Sequence, residues 1–326
     1  MKLVFSVLAA SLLVASPAIA KTFKVGTMIP EGTSWANNIK KMTKEIKKAT
    51  DGRVKFKVYY GGVAGDEPDV LRKIRSGQFH GGTFTGKSLG DINGDFRLLE
   101  LPFNFQHDRS KALKVMNGMK NHLNSGFKKA GFKALGYYEM GKVYVVSKNK
   151  IKNIDDMKGV KIWAFEGDPL VENIMTSLKL VATPLALPDV TTSLSTGMIE
   201  AAYGPPLGII ALQWQSKVKY LLDQPLAYVF AGFVLGEKSW NKISKADRAK
   251  VESITAEYTA KANDINIQEN VKSLEVLKQQ KIEFVKPADV KKETAIGHKV
   301  REEVLAKLTG KLFTKEGRKI YDGLMK

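Results

Sequence analysis

Between Lys21 and Gly90 the chain alternates between two rhythms. The stretches TFKVGTM and RVKFKVYY switch between apolar and polar at nearly every residue, the period of a strand with one buried face. Between them, Trp35, Ile39, Met42 and Ile46 recur at helical spacing, and Gly52 supplies a stop. GGVAGDEPDVLRKIRSG then reads as a glycine turn followed by a helix that stacks Val70, Leu71 and Ile74, and GGTFTG reads as a third strand. Strand, helix, strand, helix, strand at this rhythm predicts a parallel α/β sheet with right-handed crossovers.

The pattern resumes after LLELPFNF with a helix from about Ser110 to Lys129. FKALGYYEMGKVYVVSKN then predicts two strands placed to cross between domains. GVKIWAF opens a second α/β unit. Asp168 is a good N-cap and Pro169 fits the first position of the helix that follows. Two further strand–helix steps follow (VATPLA with PDVTTSLSTG, IEAAYG with PLGIIALQWQSK), and LAYVFAGFVLGEKSW reads as a strand returning to the first domain.

No Gly or Pro interrupts the chain between Gly236 and Pro287. Ser244–Asp247 resembles a capping box, and Val251, Ile254, Tyr258, Ala262 and Ile265 follow in steps of three and four. The prediction is one helix of about 35 residues, about 50 Å long and shared between two domains. Two shorter helices complete the tail.

The first twenty residues change the picture. Lys2, the run LVFSVLAASLLVA and Ala18-Ile19-Ala20 have the form of a cleavable export signal, too short for a comfortable membrane span. The remainder, roughly 300 residues, favours two domains over one. There is no cysteine, so neither disulfides nor a lipid-modified cysteine is available. The expected location is a bacterial periplasm, with no stable membrane insertion after cleavage. Of the formal net charge of +19 the leader contributes only Lys2. The lysines are dispersed and no basic block alternates with aromatics, so a solvated basic surface is expected rather than a nucleic-acid partner.

Candidate chemistry is sparse. GKSLG (Gly86–Gly90) matches the G-x-S-x-G of serine hydrolases, and His80-Gly81-Gly82 resembles their oxyanion loop. A nucleophile elbow needs a helix directly after Ser88, where LGDINGD is rich in helix breakers. The oxyanion loop also falls on the same strand instead of an earlier one. His80, His107, His122 and His298 lack metal-ligand spacing, and there is no phosphate-binding glycine motif. No catalysis, metal or cofactor is expected. Aromatic residues instead gather where strands end: Trp35, Phe84, Tyr137 with Tyr138, Trp163 with Phe165, and Tyr203. Carboxyl ends of strands in open α/β sheets are where ligands bind, and an aromatic-lined interdomain cleft suits a small molecule.

Four segments in order resemble the solute-binding proteins of TRAP (tripartite ATP-independent periplasmic) transporters. YYGGVAGDEPDVLRKIRSGQF resembles the family's tyrosine-glycine turn and helix, LELPFNF its Leu-Pro-Phe-x-Phe signature, IKNIDDMKGVKIW its I-x-x-x-x-D-L-K-G-x-K-I-R segment, and PDVTTSLSTGMIEA the helix that leads into the cleft. The resemblance implies a two-domain α/β solute-binding protein (type II-like) with a hinge, a long bracing helix, and TRAP membrane subunits as partners. The expected division is residues 21–142 with about 228–255, and 143–227 with about 256–326, the helix at about 245–280 being shared.

The resemblance also gives Trp163 a meaning. That position in the family pattern is an arginine that pairs with a substrate carboxylate. A second arginine aligns near Val143, and an asparagine near Gly204-Pro205. With these positions apolar, a ligand carboxylate has no partner, and an apolar or aromatic ligand held by Trp163, Phe165 and Tyr203 is expected. The candidate binding set is Trp35, Phe84, Lys87, Tyr137, Lys142, Trp163, Phe165, Glu166, Tyr203 and Pro205. Two alternatives keep a charged ligand: Lys87 or Lys142 holding a monocarboxylate, or Glu166 holding a cation over aromatic faces. A third alternative is an exported hydrolase using Ser88.

Overall fold

The computed structural model describes residues 20–105 and 108–326. The expected leader, apart from Ala20, and His107 lie outside the described residues. The chain opens with β1 (Lys21–Gly26), α1 (Ser34–Ala49), β2 (Val54–Tyr59), α2 (Glu67–Arg75), β3 (Gly81–Thr85) and α3 (Gly86–Ile92). A 3-10 segment, Gly94–Glu100, leads to α4 (Arg109–Lys129) and the long β4 (Phe132–Ser147). Next come β5 (Lys161–Phe165), α5 (Pro169–Leu178), β6 (Val181–Leu185), α6 (Val190–Thr196), β7 (Ala201–Gly204) and α7 (Pro206–Ala211). The chain continues through β8 (Tyr220–Leu222), β9 (Ala227–Gly236), α8 (Glu237–Trp240) and α9 (Lys245–Gln279). It ends with β10 (Glu283–Val285), α10 (Val290–Leu308) and α11 (Lys315–Met325).

The strands form two sheets. The first runs β2-β1-β3-β9-β4, and the second contains β4-β7-β5-β6 with β8 and β10 beside it. The sheets are mixed, not purely parallel. β1 pairs in parallel with β2 and β3, but β9 lies antiparallel between β3 and β4. The reason is that β9 returns from the second sheet and so runs opposite to the strands it joins. β4, read from sequence as two strands, is one strand of 16 residues. Its first part pairs with β9 and its last four residues with β7. Leu135 and Met140 are the extra residues at two register shifts, and Gly141 at the second shift has φ +103°, a conformation suited to glycine.

α9 is the predicted 35-residue helix, capped by Ser244 Oγ accepting from Asp247 N. It packs against β4, α1 and α7. Its buried stripe includes Val251, Tyr258 and Ala262, then continues with Asn266. Three asparagines bond to the bulged part of β4. Asn263 Oδ1 accepts from Glu139 N, while Asn266 and Asn270 donate to the carbonyls of Glu139 and Met140. Asn266 also accepts from the Trp35 indole, and Asn270 accepts from Leu207 N at the start of α7. Buried backbone at the crossover of the two sheets is thereby satisfied by one helix face. α10 packs on α5 and α11 on α4. The α11 N-cap Thr314 is held by the buried Asp95 carboxylate, which accepts from Thr314 N (2.7 Å) and Oγ1 (2.6 Å).

Candidate functional site

A cavity of about 320 Å³ lies between the two sheets, with walls drawn from both. From the first sheet and its helices come Trp35, Phe84, Glu67 and Lys87. The 3-10 segment supplies Arg97 and Glu100, and the second sheet supplies Trp163, Phe165, Tyr203 and Pro205.

The aromatic wall begins on β5, where alternation sends Trp163 and Phe165 to one face and Ile162 and Ala164 to the other. Trp163 is 2% exposed. Its ring stacks on Tyr203 (centroids 5.0 Å, 28° between planes) and meets Phe165 and Trp214 at 4.6 and 5.5 Å. Its indole N–H donates to Leu185 O on the neighbouring β6 at 3.1 Å. That donor is used, so Trp163 offers the cavity only apolar and π surface.

A second part of the wall is charged and comes close to Tyr203. Arg97 donates to Asp168 (2.6 Å) and to Glu100. All three side chains are buried. Asp168 also caps α5, its Oδ1 accepting from Leu170 N and Val171 N, so one carboxylate ties Arg97 to the second unit's first helix. Burial alone would lower the Arg97 pKa, but the charges of Asp168 and Glu100 outweigh it and the net shift is upward. Burial pushes Glu100 up to about 7, with Arg97 pulling it down and Asp168 and Glu67 adding to the rise. Glu67 at the start of α2 accepts from Thr85 N (2.9 Å) and Thr85 Oγ1 (2.8 Å). Burial raises its pKa too, against those two hydrogen bonds.

The glycines of GKSLG explain how this wall fits. A Cβ on Gly86 would stand 2.0 Å from Glu100 Oε1, and one on Gly90 would stand 2.6 Å from Arg97 Cγ. One turn apart on α3, the two glycines leave the groove that the buried ion pair fills. α3 does follow β3 directly, contrary to the expectation from its helix breakers, because those glycines face packed side chains and not solvent. Ser88 is buried at 1% exposure behind the cavity lining. His80 Nδ1 accepts from Lys24 N, and His122 Nε2 lies 2.7 Å from Asp95, so neither is placed as a base for Ser88. Among the described residues, no group of three or more His, Cys, Asp or Glu is placed to hold a metal ion.

Of the sequence candidates, Trp35, Phe84, Lys87, Trp163, Phe165, Tyr203 and Pro205 line the cavity; Tyr137, Lys142 and Glu166 do not. Tyr137 is turned into the core against Phe96 and Phe127, its hydroxyl donating to Asn124 Oδ1, while its neighbour Tyr138 faces the cavity. Lys142 points away from the face that Val143 presents. The turn at Gly167 (φ +63°) leaves Glu166 exposed. Lys87 is already paired with Asp91, one helical turn on, at 2.8 Å. Arg97, Glu100 and Glu67 join the cavity wall without being among the sequence candidates, and Asp168, expected as a cap, lines it as well. Arg97 and Glu100 have one signal, as charged residues embedded in the apolar run GDFRLLELPF, whereas Glu67 has none beyond its place at the start of a helix.

Known proteins share this architecture. The chain is 27% identical to a solute-binding protein of Verminephrobacter eiseniae over 72% of its own length and 70% of that protein's. It is 23% identical to the C4-dicarboxylate-binding periplasmic protein DctP of Rhodobacter capsulatus, covering 83% and 82% of the two chains. Its fold superposes with a TM-score of 0.84 on a TRAP periplasmic solute-binding protein from Sulfitobacter sp. NAS-14.1 solved with bound β-D-galacturonate (20% identity, 94% of this chain, 99% of that one). The TM-score is 0.85 with the corresponding protein of Desulfovibrio salexigens, solved with bound orotic acid (19% identity, 93% and 98%). These likenesses establish the two-domain α/β fold. A family profile described as bacterial extracellular solute-binding protein, family 7, matches residues 25–307. With most of its length matched, the chain belongs to that family, the DctP solute-binding proteins.

Proposed function

We propose that this protein is a periplasmic receptor that encloses one small organic ligand with an apolar or aromatic body and delivers it to a TRAP membrane permease. The observation that carries the ligand class is the state of the cavity's one guanidinium. Arg97 already holds two buried carboxylates, and Trp163, at the position where the resemblance puts an arginine, stacks on Tyr203. A free carboxylate on the ligand would therefore be buried without a matching cation. The relatives that hold galacturonate or orotic acid do so at 20% identity or less, which leaves ligand chemistry open to change.

The lobes are those built on the two sheets, with α11 grouped with the first by its packing on α4. The hinge lies on β4 around Gly141, where the strand leaves one sheet for the other. Export follows cleavage after Ala20, and the chain acts as a receptor and not as an enzyme.

The test is native mass spectrometry of the protein purified from its own periplasm, followed by denaturation and identification of the released molecule. A molecule with an apolar or aromatic body and no free carboxylate is expected, and Trp163→Arg should abolish its retention. Release of a dicarboxylate or a sugar acid would overturn the ligand assignment.

A further inference from the structure

We propose, building on that reading, that the cavity is made for a ligand with a positively charged group beside its apolar body, and that Glu67 and Glu100 are the groups that receive the charge. The charged side chains lining the cavity are Glu67, Lys87, Arg97, Glu100 and Asp168. Both cations are committed, Lys87 to Asp91 and Arg97 to Glu100 and Asp168. Asp168 is committed as well, to Arg97 through one oxygen and to the α5 backbone through the other.

Glu67 differs. It is 5% exposed, its hydrogen-bond partners, Thr85 N and Thr85 Oγ1, are both neutral, and the Lys87 charge that reaches it is shared with Asp91. Glu67, Glu100 and Asp168 are three carboxyls around one guanidinium, and burial holds the pKa values of Glu67 and Glu100 up, so these two relieve the formal excess by holding protons. A cation that displaces those protons compensates the charge in their place. A ligand carboxylate would add to the excess and a ligand ammonium would remove it. The aromatic wall reinforces the choice, because the faces of Trp163, Tyr203 and Phe165 attract cations.

The groups that set the charge of this site are Arg97 and Glu100 on the 3-10 segment, Glu67 on α2, Lys87 and Asp91 on α3, Asp168 before α5 and the Tyr203 phenol on β7. Burial holds the Glu100 carboxyl up at about 7. A cation that stays protonated above that value should bind more tightly as the pH rises through it, because the carboxyl then ionises without competition from its own proton.

The experiment compares three probes of one shape by calorimetric titration: tryptamine (cationic), tryptophol (neutral) and indole-3-acetate (anionic). Tryptamine should bind at least about tenfold more tightly than tryptophol, with indole-3-acetate weakest. Its affinity should increase between about pH 6 and about pH 8 while that of tryptophol stays level. The double substitution Glu67→Gln with Glu100→Gln should erase the advantage of tryptamine over tryptophol. If tryptophol equals or exceeds tryptamine, the cation site is refuted and the apolar cavity stands. If indole-3-acetate binds most tightly, both ligand assignments fall. Failure of all three to bind overturns the aromatic-ligand reading and this proposal with it. The wild-type series decides the matter even if the double variant does not fold.

Discussion

One part of the cavity wall carries Glu67, Arg97 and Glu100 on short, glycine-flanked elements, whereas another carries Trp163, Phe165 and Tyr203 on strands β5 and β7, backed by Trp214 on a 3-10 turn. The polar wall is held by charge-assisted hydrogen bonds that need each partner in place, so its parts are interdependent. The aromatic wall is held by ring contacts that give way gradually when one ring shrinks. A binding cavity can thus divide labour: one part fixes charge, another supplies area.

Removing Arg97 should have the largest effect on stability. Arg97→Met leaves Glu100 and Asp168 buried without their cation, and urea denaturation should show a loss of about 3–5 kcal/mol. A loss below about 1 kcal/mol would mean that the polar wall is not interdependent. Gly86→Ala should cost less, about 1–3 kcal/mol, because its methyl collides with the Glu100 carboxylate, which has little room to move. Gly90→Ala should cost less again, since the atoms it meets belong to the more flexible Arg97 stem.

Trp163→Phe sharpens the contrast from the other side. It removes the hydrogen bond to Leu185 O and part of the stack on Tyr203, so unfolding should shift by only about 1–2 kcal/mol. Binding of the native ligand should weaken roughly tenfold, read by calorimetry.

The smallest effect is a pH slope. Glu100 has an ordinary value near 4.5 in the unfolded chain and about 7 in the folded one, so the folded state holds its proton more tightly. That contribution to stability is fully present below 4.5 and disappears as the pH rises through 7. Unliganded protein should therefore lose stability across that window, and Glu100→Gln should flatten the slope in thermal unfolding followed against pH. A slope unchanged by Glu100→Gln would assign it to other groups.

Much of the scaffold is legible in the sequence because it rests on local rules. α9 is announced by a break-free stretch with a cap at Ser244, and α5 by Asp168-Pro169. The aromatic wall is partly legible, since strand ends of α/β units are few and Trp163, Phe165 and Tyr203 sit at them. The polar wall is not, because it exists only after α2, α3, the 3-10 segment and α5 converge. GKSLG shows the difficulty: a pattern suggestive of a nucleophile turns out to be two glycines clearing space for the side chains of Glu100 and Arg97. Tyr137 and Tyr138 show another. Alternation puts one of the two on each face of β4, but which one faces the cavity depends on register and on the extra residue at Leu135, and neither is written in the local sequence.

β4 serves both sheets, and the chain comes back to the first sheet through β9 before α9 spans the crossover. Each sheet is thus assembled from non-contiguous stretches of the gene. A single recombination junction between two relatives would exchange parts of both walls at once and separate partners such as Arg97 and Asp168. New specificities in such an interleaved chain are therefore more accessible through successive point substitutions on the cavity wall than through the shuffling of whole lobes.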